Sequence, residues 1–150
     1  MSIQQEMPDF LPDRLEAGTH NVPGIAGLLA GIRYVRKKGV ENICQKERQL
    51  ALLAAEGLQK ISGVKVYALP GLHGQTGVVS FSVEGKDSET VAEELGKRDI
   101  AVRAGLHCAP AAHRSAGTLE QGTVRLSFSD FNTTEEVLRF LDHMCTLQAG

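Results

Sequence analysis

The apolar positions of this chain follow two periods, and the change from one to the other divides it. From Val22 to Lys38, Ile25, Leu28, Leu29, Ile32 and Val35 recur at helical spacing. Asn21 stands where an N-cap belongs, and Pro23 fits the first turn, where a missing N–H costs nothing. The other face carries Gly24, Gly27, Ala30 and Gly31 instead of charges. Glycine in a helix interior costs up to about 1 kcal/mol relative to alanine. This smooth side is therefore expected to pack closely against something large, which need not belong to this chain. Gly39 ends the helix, and Val40 to Ile61 predicts a second one. Ile43, Leu50, Leu53, Leu58 and Ile61 form its inner face; Gln45, Lys46, Arg48, Gln49, Glu56 and Lys60 form a solvated outer one. Cys44 on this helix reads as a small hydrophobe.

Beyond Ser62-Gly63 the period shortens to two. Val64 to Tyr67 and Gly77 to Val83 alternate as strands, and Pro70-Gly71-Leu72-His73-Gly74 is the loop of a hairpin. His73 reads as a lone loop histidine. Asp87 or Ser88 can cap a short helix with Val91, Ala92 and Leu95 inward and Gly96 at its end. Ile100 to Arg103 and Thr123 to Phe128 are the third and fourth strands. Thr133-Thr134-Glu135-Glu136 is a capping-box sequence opening a last helix, with Val137, Leu138, Leu141, Met144 and Cys145 as its apolar face. The order helix, helix, strand, strand, helix, strand, strand, helix predicts an α/β chain of the α+β kind. Its small antiparallel or mixed four-stranded sheet carries helices on one face.

Composition adds mostly exclusions. At 150 residues with 42% apolar residues, the chain has material for a real core. A net charge of -2 offers no basic field for nucleic acid and no patch for a membrane surface. No apolar run approaches the roughly 20 residues of a spanning helix. Residues 1 to 17 read as an extended lead-in, and the N-terminus lacks the basic and apolar regions of a signal peptide. Cys44, Cys108 and Cys145 are odd in number and widely spaced, which predicts reduced thiols and a cytoplasmic protein.

The candidate chemistry lies between the last two strands. Ala104 to Gly122 is long for a strand connection, and loops of that length without structure of their own are usually functional or disordered. It carries Cys108 beside His107, with Arg103 before it and His113 and Arg114 after it. A nearby cation favours thiolate, the reactive form of cysteine. Arg125 sits in an otherwise apolar strand, where an unpaired charge is costly, so it needs an anionic partner. Its planar fork suits a carboxylate. Two bland alternatives stand beside these readings: a buried, inert Cys108, and an Arg125 paired with a local acid such as Asp130. A metal site at His107, Cys108 and His113 is a weaker reading, for want of a fourth ligand. Glu16-Ala17-Gly18-Thr19-His20-Asn21, just before the first helix, is either a plain capping turn or a turn whose donors hold an anion such as phosphate.

Three motifs in order carry a family resemblance over nearly the whole chain, from about Arg14 to Leu147. They are Glu-Ala-Gly-Thr-His-Asn before the glycine-rich helix, Arg-Ala-Gly-Leu-His-Cys-Ala-Pro, and Gly-Thr-Val-Arg-Leu-Ser-Phe followed by Phe-Asn-Thr-Thr-Glu-Glu-Val. Together they resemble the C-terminal part of class V, fold-type-I enzymes that use pyridoxal 5'-phosphate (PLP). Among these the likeness is to cysteine desulfurases and selenocysteine lyases. The resemblance implies that Cys108 is the nucleophile that takes up sulfur or selenium as a persulfide. It implies that Arg125 holds the substrate α-carboxylate, that Arg103 supports the active-site region, and that Gly18 and Thr19 reach the cofactor phosphate of the partner subunit in a homodimer. Leu106 replaces a second histidine found in some relatives. None of the seven lysines sits in the family's Ser-x-His-Lys context, so the cofactor lysine is expected on a large domain outside this chain. Residues 1–38 are then the lead-in and the helix that packs on that domain, and 39–150 a small C-terminal domain, catalytically incomplete alone. An amino-acid substrate and a sulfur-acceptor protein, as in iron-sulfur cluster assembly, are the implied partners. Two rivals remain: a class V aminotransferase relative that does not use Cys108, and a sulfur-carrier or dimerisation domain without PLP.

Overall fold

The computed structural model of the chain describes residues 8–16, 18–69 and 74–148. Ala17 and the Pro70–His73 part of the hairpin loop lie outside the described residues, as does the lead-in up to Met7. The chain divides into two compact units, Met1–Gly39 and Val40–Gly150.

In the first unit, a 3-10 turn at Asp13–Leu15 precedes helix α1, Val22–Lys38. Asn21 caps α1 as expected: its side-chain oxygen accepts from the Gly24 N–H at 3.0 Å. A Cβ on Gly24 would lie 2.5 Å from the Asn21 amide, so glycine there lets the capping side chain sit close without shifting. The packing partner expected for α1 is not within the unit. No described residue of α1 is buried, and the stripe from Ile25 to Val35 stands open, with Leu28 at 65% exposure.

The second unit runs α2 (Val40–Leu58), β1 (Val64–Tyr67), β2 (Val78–Val83), α3 (Ser88–Gly96), β3 (Arg103–Gly105), α4 (Pro110–Ala116), β4 (Thr123–Ser127) and α5 (Thr134–Gln148). The four strands form one sheet in the order β1-β2-β4-β3, every neighbour antiparallel. Strand β2 sorts its side chains by parity: Val79, Phe81 and Val83 are buried, while Val78, Ser80 and Ser82 are half-buried on the other side. In β4, Val124 and Leu126 join the same buried face.

Helices α2, α3 and α5 cover that face. The core gathers Leu50, Ala54 and Leu58 from α2, Val91 and Leu95 from α3, and Val137, Phe140 and Met144 from α5. Phe81 and Phe140 meet edge to face, ring centroids 5.9 Å apart. Alanines do more of the work in α2 than expected, Ala51, Ala54 and Ala55 letting the helix lie close to its neighbours. Phe140 takes the place expected of Leu138 and Cys145, which are both exposed. The end signals hold. Asp87 accepts from the N–H groups of Glu89 and Thr90, and these bonds, with the Thr90 hydroxyl first, hold its carboxyl below the usual range. Thr133 and Glu136 cap each other reciprocally at the head of α5.

Two boundaries differ from the sequence reading. The third strand pairs only over Arg103–Gly105, because that is the stretch lying opposite β4; Ile100 and Val102 pack on the core without joining the ladder. The connection from Ala104 to Gly122 is not structureless, since it contains α4. Pro110 starts this helix and Gly117, at φ 69°, ends it in the left-handed conformation that suits glycine.

Candidate active site

With three helices on one face of the sheet, the opposite face is left to polar groups. The strand register places Tyr67 opposite Ser80, Ser80 opposite Arg125, and Arg125 opposite Arg103. Directly opposed residues of antiparallel strands share a face, so these four form one row across the whole sheet. Its last two members are both cations. Like charges directly opposite one another are destabilising. Arg103 is exposed and Arg125 half-buried, and the Arg125 Nε is buried with no hydrogen-bond partner among the described residues. Asp130, the acid nearest in sequence, stands in an ion pair with Lys46 at 3.6 Å. An arginine pair with an orphaned N–H can accept an anion, and the planar guanidinium fork is chemically suited to a carboxylate.

Cys108 stands three residues beyond the end of β3, in the turn that leads into α4. It is exposed rather than buried. His107 and Cys108 both adopt the left-handed region, at φ 50° and 59°, following Gly105 at φ 100°. Each such conformation costs a non-glycine residue roughly 1–2 kcal/mol, so two in succession need support from their surroundings. Ala109 N–H closes the turn onto the Leu106 carbonyl at 2.8 Å. His107 Nε2 lies 3.1 Å from the Thr123 carbonyl and 3.3 Å from its hydroxyl. Since a carbonyl only accepts, Nε2 carries the proton in this arrangement. Burial first, and then the Arg125 charge, lower the basicity of His107, with His113 and Arg103 adding to the effect and the Thr123 bond opposing it.

The neck of the loop is closed by glycine. A Cβ on Gly122 would stand 2.9 Å from both Gly105 Cα and Ser88 Oγ. Ser88 in turn donates to the Gln121 carbonyl at 2.8 Å. Beyond the turn, His113 is buried with its Nδ1 2.8 Å from the Thr118 hydroxyl, and its ring centroid is 5.9 Å from that of His107. His113 is thus occupied within the fold. Among the described residues no group of three metal-ligating side chains comes together. Ala112, His113 and Ala116 of α4 border a cavity of about 170 Å³ with Tyr67, Ser80 and Thr123. The structure therefore gathers Arg103, Arg125 and the Cys108 turn around β3 and β4. Gly18 and Thr19 belong to the first unit, where both are exposed and Gly18 has φ 86°. His107 is the residue whose part the sequence reading did not single out; its bond to Thr123 depends on the β3–β4 pairing, which no local pattern reveals.

Comparison with known proteins places the chain in a family. The family model for class-V aminotransferases matches residues 1–140, and the chain belongs to that family. It is 41% identical over 130 residues to a probable cysteine desulfurase of Pyrococcus abyssi, covering 87% of this chain and 32% of that protein. The apo structure of a cysteine desulfurase from Thermococcus onnurineus superposes with a TM-score of 0.85 at 42% identity, over 93% of this chain and 34% of that one. A cysteine desulfurase from Escherichia coli, in an S-sulfonic acid form, matches with a TM-score of 0.77 at 29% identity, over 89% of this chain and 32% of that one. The chain thus spans about a third of the length of these relatives. No helix among the described residues is long and apolar enough to cross a membrane.

Proposed function

We propose that this chain supplies the sulfur-accepting side of a PLP-dependent cysteine desulfurase. The observation that carries the reading is the pairing of Arg103 with Arg125 on the sheet face opposite the three core helices, with an orphaned Arg125 N–H, beside an exposed thiol on a constrained turn. Arg125 receives the α-carboxylate of L-cysteine, and Arg103 adds positive field along the same row. Cys108 sulfur attacks the substrate sulfur. A new S–S bond forms as the substrate C–S bond breaks, leaving alanine and a persulfide on Cys108. PLP, when bound, supplies the electron sink for that cleavage. The residues here fit the substrate end of such a site. The lysine that holds the cofactor belongs to the part of the enzyme this chain does not contain, in keeping with the third of its relatives' length that it spans.

The same reading assigns residues 1–38 to packing against the PLP domain, which the open apolar stripe of α1 supports. Gly18 and Thr19 then meet the cofactor phosphate of a partner subunit in a homodimer; their exposure just before the α1 N-terminus leaves their donors accessible. Selenocysteine as an alternative substrate, a sulfur-acceptor protein in iron-sulfur assembly and a cytoplasmic setting extend the proposal. The test is alanine release from L-cysteine with intact mass read afterwards. This chain with PLP alone should give neither alanine nor added sulfur. In the holoenzyme that contains it, Cys108→Ala should abolish both. Alanine release at the wild-type rate by that variant overturns the role of Cys108.

A further inference from the structure

The turn that carries Cys108 is an unfavourable one for its sequence. Hairpin-like turns with two left-handed central residues favour Asn and Gly, whereas here His107 and Cys108 occupy those places. Strained backbone of this kind persists only where several contacts determine it together. On the strand side, Gly105 pairs with Thr123 at the end of the β3–β4 ladder. On the far side, Pro110 opens α4 directly after the turn. Between them, the His107 ring is the one side chain of the turn that is hydrogen-bonded to the sheet among the described residues. Cys108 is the next residue, so any rotation of the His107 backbone swings the thiol.

We propose that His107 is the positioning residue for Cys108: by donating from Nε2 to the Thr123 carbonyl it holds the left-handed turn and so fixes the direction from which the thiol approaches the arginine row. The inference rests on the sulfur-transfer reading for its chemistry, and on the turn alone for its geometry. His107 works as a neutral ring in this role, with Nε2 protonated and Nδ1 not. It is therefore a strut rather than the cation that activates Cys108.

Three variants separate the ring's role from simple loss of fold. His107→Ala removes the donor. His107→Gln restores one, because the glutamine Nε2 extends about as far as the imidazole Nε2. Thr123→Val removes only the hydroxyl and leaves the carbonyl, so the turn should stay closed. In this chain, hydrogen exchange at the Ala109 amide should speed up several-fold in His107→Ala and return towards wild type in His107→Gln, with α3 and α5 amides unchanged. In the PLP-loaded holoenzyme, His107→Ala should lower kcat by about tenfold or more with KM for L-cysteine retained, since a misplaced nucleophile loses rate while the carboxylate clamp stays intact. Unchanged Ala109 exchange in His107→Ala overturns the inference. So does faster exchange with an unaltered kcat, because the turn would then be irrelevant to the thiol's approach. A wild-type holoenzyme that releases no alanine would remove the sulfur-transfer reading instead, and Ala109 exchange would still decide whether His107 holds the turn.

Discussion

Replacing Arg103 by glutamine should make the protein more stable, though it removes a residue assigned to the site. Arg103 faces Arg125 directly across β3 and β4, and no acid intervenes in that row. Cross-strand pairs are worth roughly 0.2–1 kcal/mol, and directly opposed like charges are unfavourable on the same scale. Arg103 is exposed, so solvent screening places its share in the lower half of that range. For a chain of this size 1 kcal/mol moves the melting temperature by roughly 2–4 °C, which predicts a gain of about 1–2 °C. The assay is thermal unfolding followed by circular dichroism at two salt concentrations. At about 0.01 M the Debye length is about 30 Å and the repulsion acts in full; at about 1 M it is about 3 Å and the gain should vanish. A small carboxylate added at low salt should stabilise the wild type more than Arg103→Gln. A variant less stable than wild type at low salt, or a gain indifferent to salt, would refute the reasoning. Arg103 would then be held by contacts other than an absent anion. The trade is typical of sites that keep charge ready for a ligand: stability is lower than it need be until the ligand arrives.

Two further outcomes follow from the loop. Gly122→Ala combines a left-handed φ of 65° with a Cβ 2.9 Å from Gly105 Cα. It should cost roughly 2 kcal/mol or more, read as a lower urea midpoint with an unchanged m-value; wild-type stability in this variant would mean that the neck opens freely. His107 should titrate below its ordinary value of about 6.5. Its contribution to stability is then complete above about pH 6.5 and is lost as pH falls through the folded value, since the unfolded chain binds the proton more readily. Urea unfolding at neutral and mildly acidic pH should show a shallower pH slope in His107→Gln than in wild type. Equal slopes would show that the ring is not kept neutral by the fold.

Much of the architecture is legible in the chain because its signals are local. Asn21, Asp87 and the Thr133–Glu136 box each announce a helix start through their own side chains, and the alternation from Val78 to Val83 announces a strand through parity alone. What could not be read is what depends on distant partners. Helix α4 is too short and too rich in alanine to show a period; its ends are marked only by Pro110 and Gly117, which read equally well as loop residues. The apolar run from Ile100 to Val102 is strand-like in composition but finds no strand opposite it. The arginine row is a matter of register: nothing in the sequence says that Arg103 and Arg125 stand opposite each other. Cys108 and Arg125 were legible as candidate chemistry, yet their relation to His107 and Thr123 exists only in the folded sheet.

Strand β4 has a double allegiance. Val124 and Leu126 anchor it in the core, while Thr123 and Arg125 belong to the opposite face. Because parity in a strand is absolute, a shift of one residue would exchange the two sets, sending a guanidinium into the core and valine to the surface. The alignment of the site is therefore inherited from the packing beneath it. This sets a bound on how the family can diversify here. A substitution at an outward-facing position of β4 leaves the core in register, whereas an insertion or deletion within the strand would cost the fold and the site together.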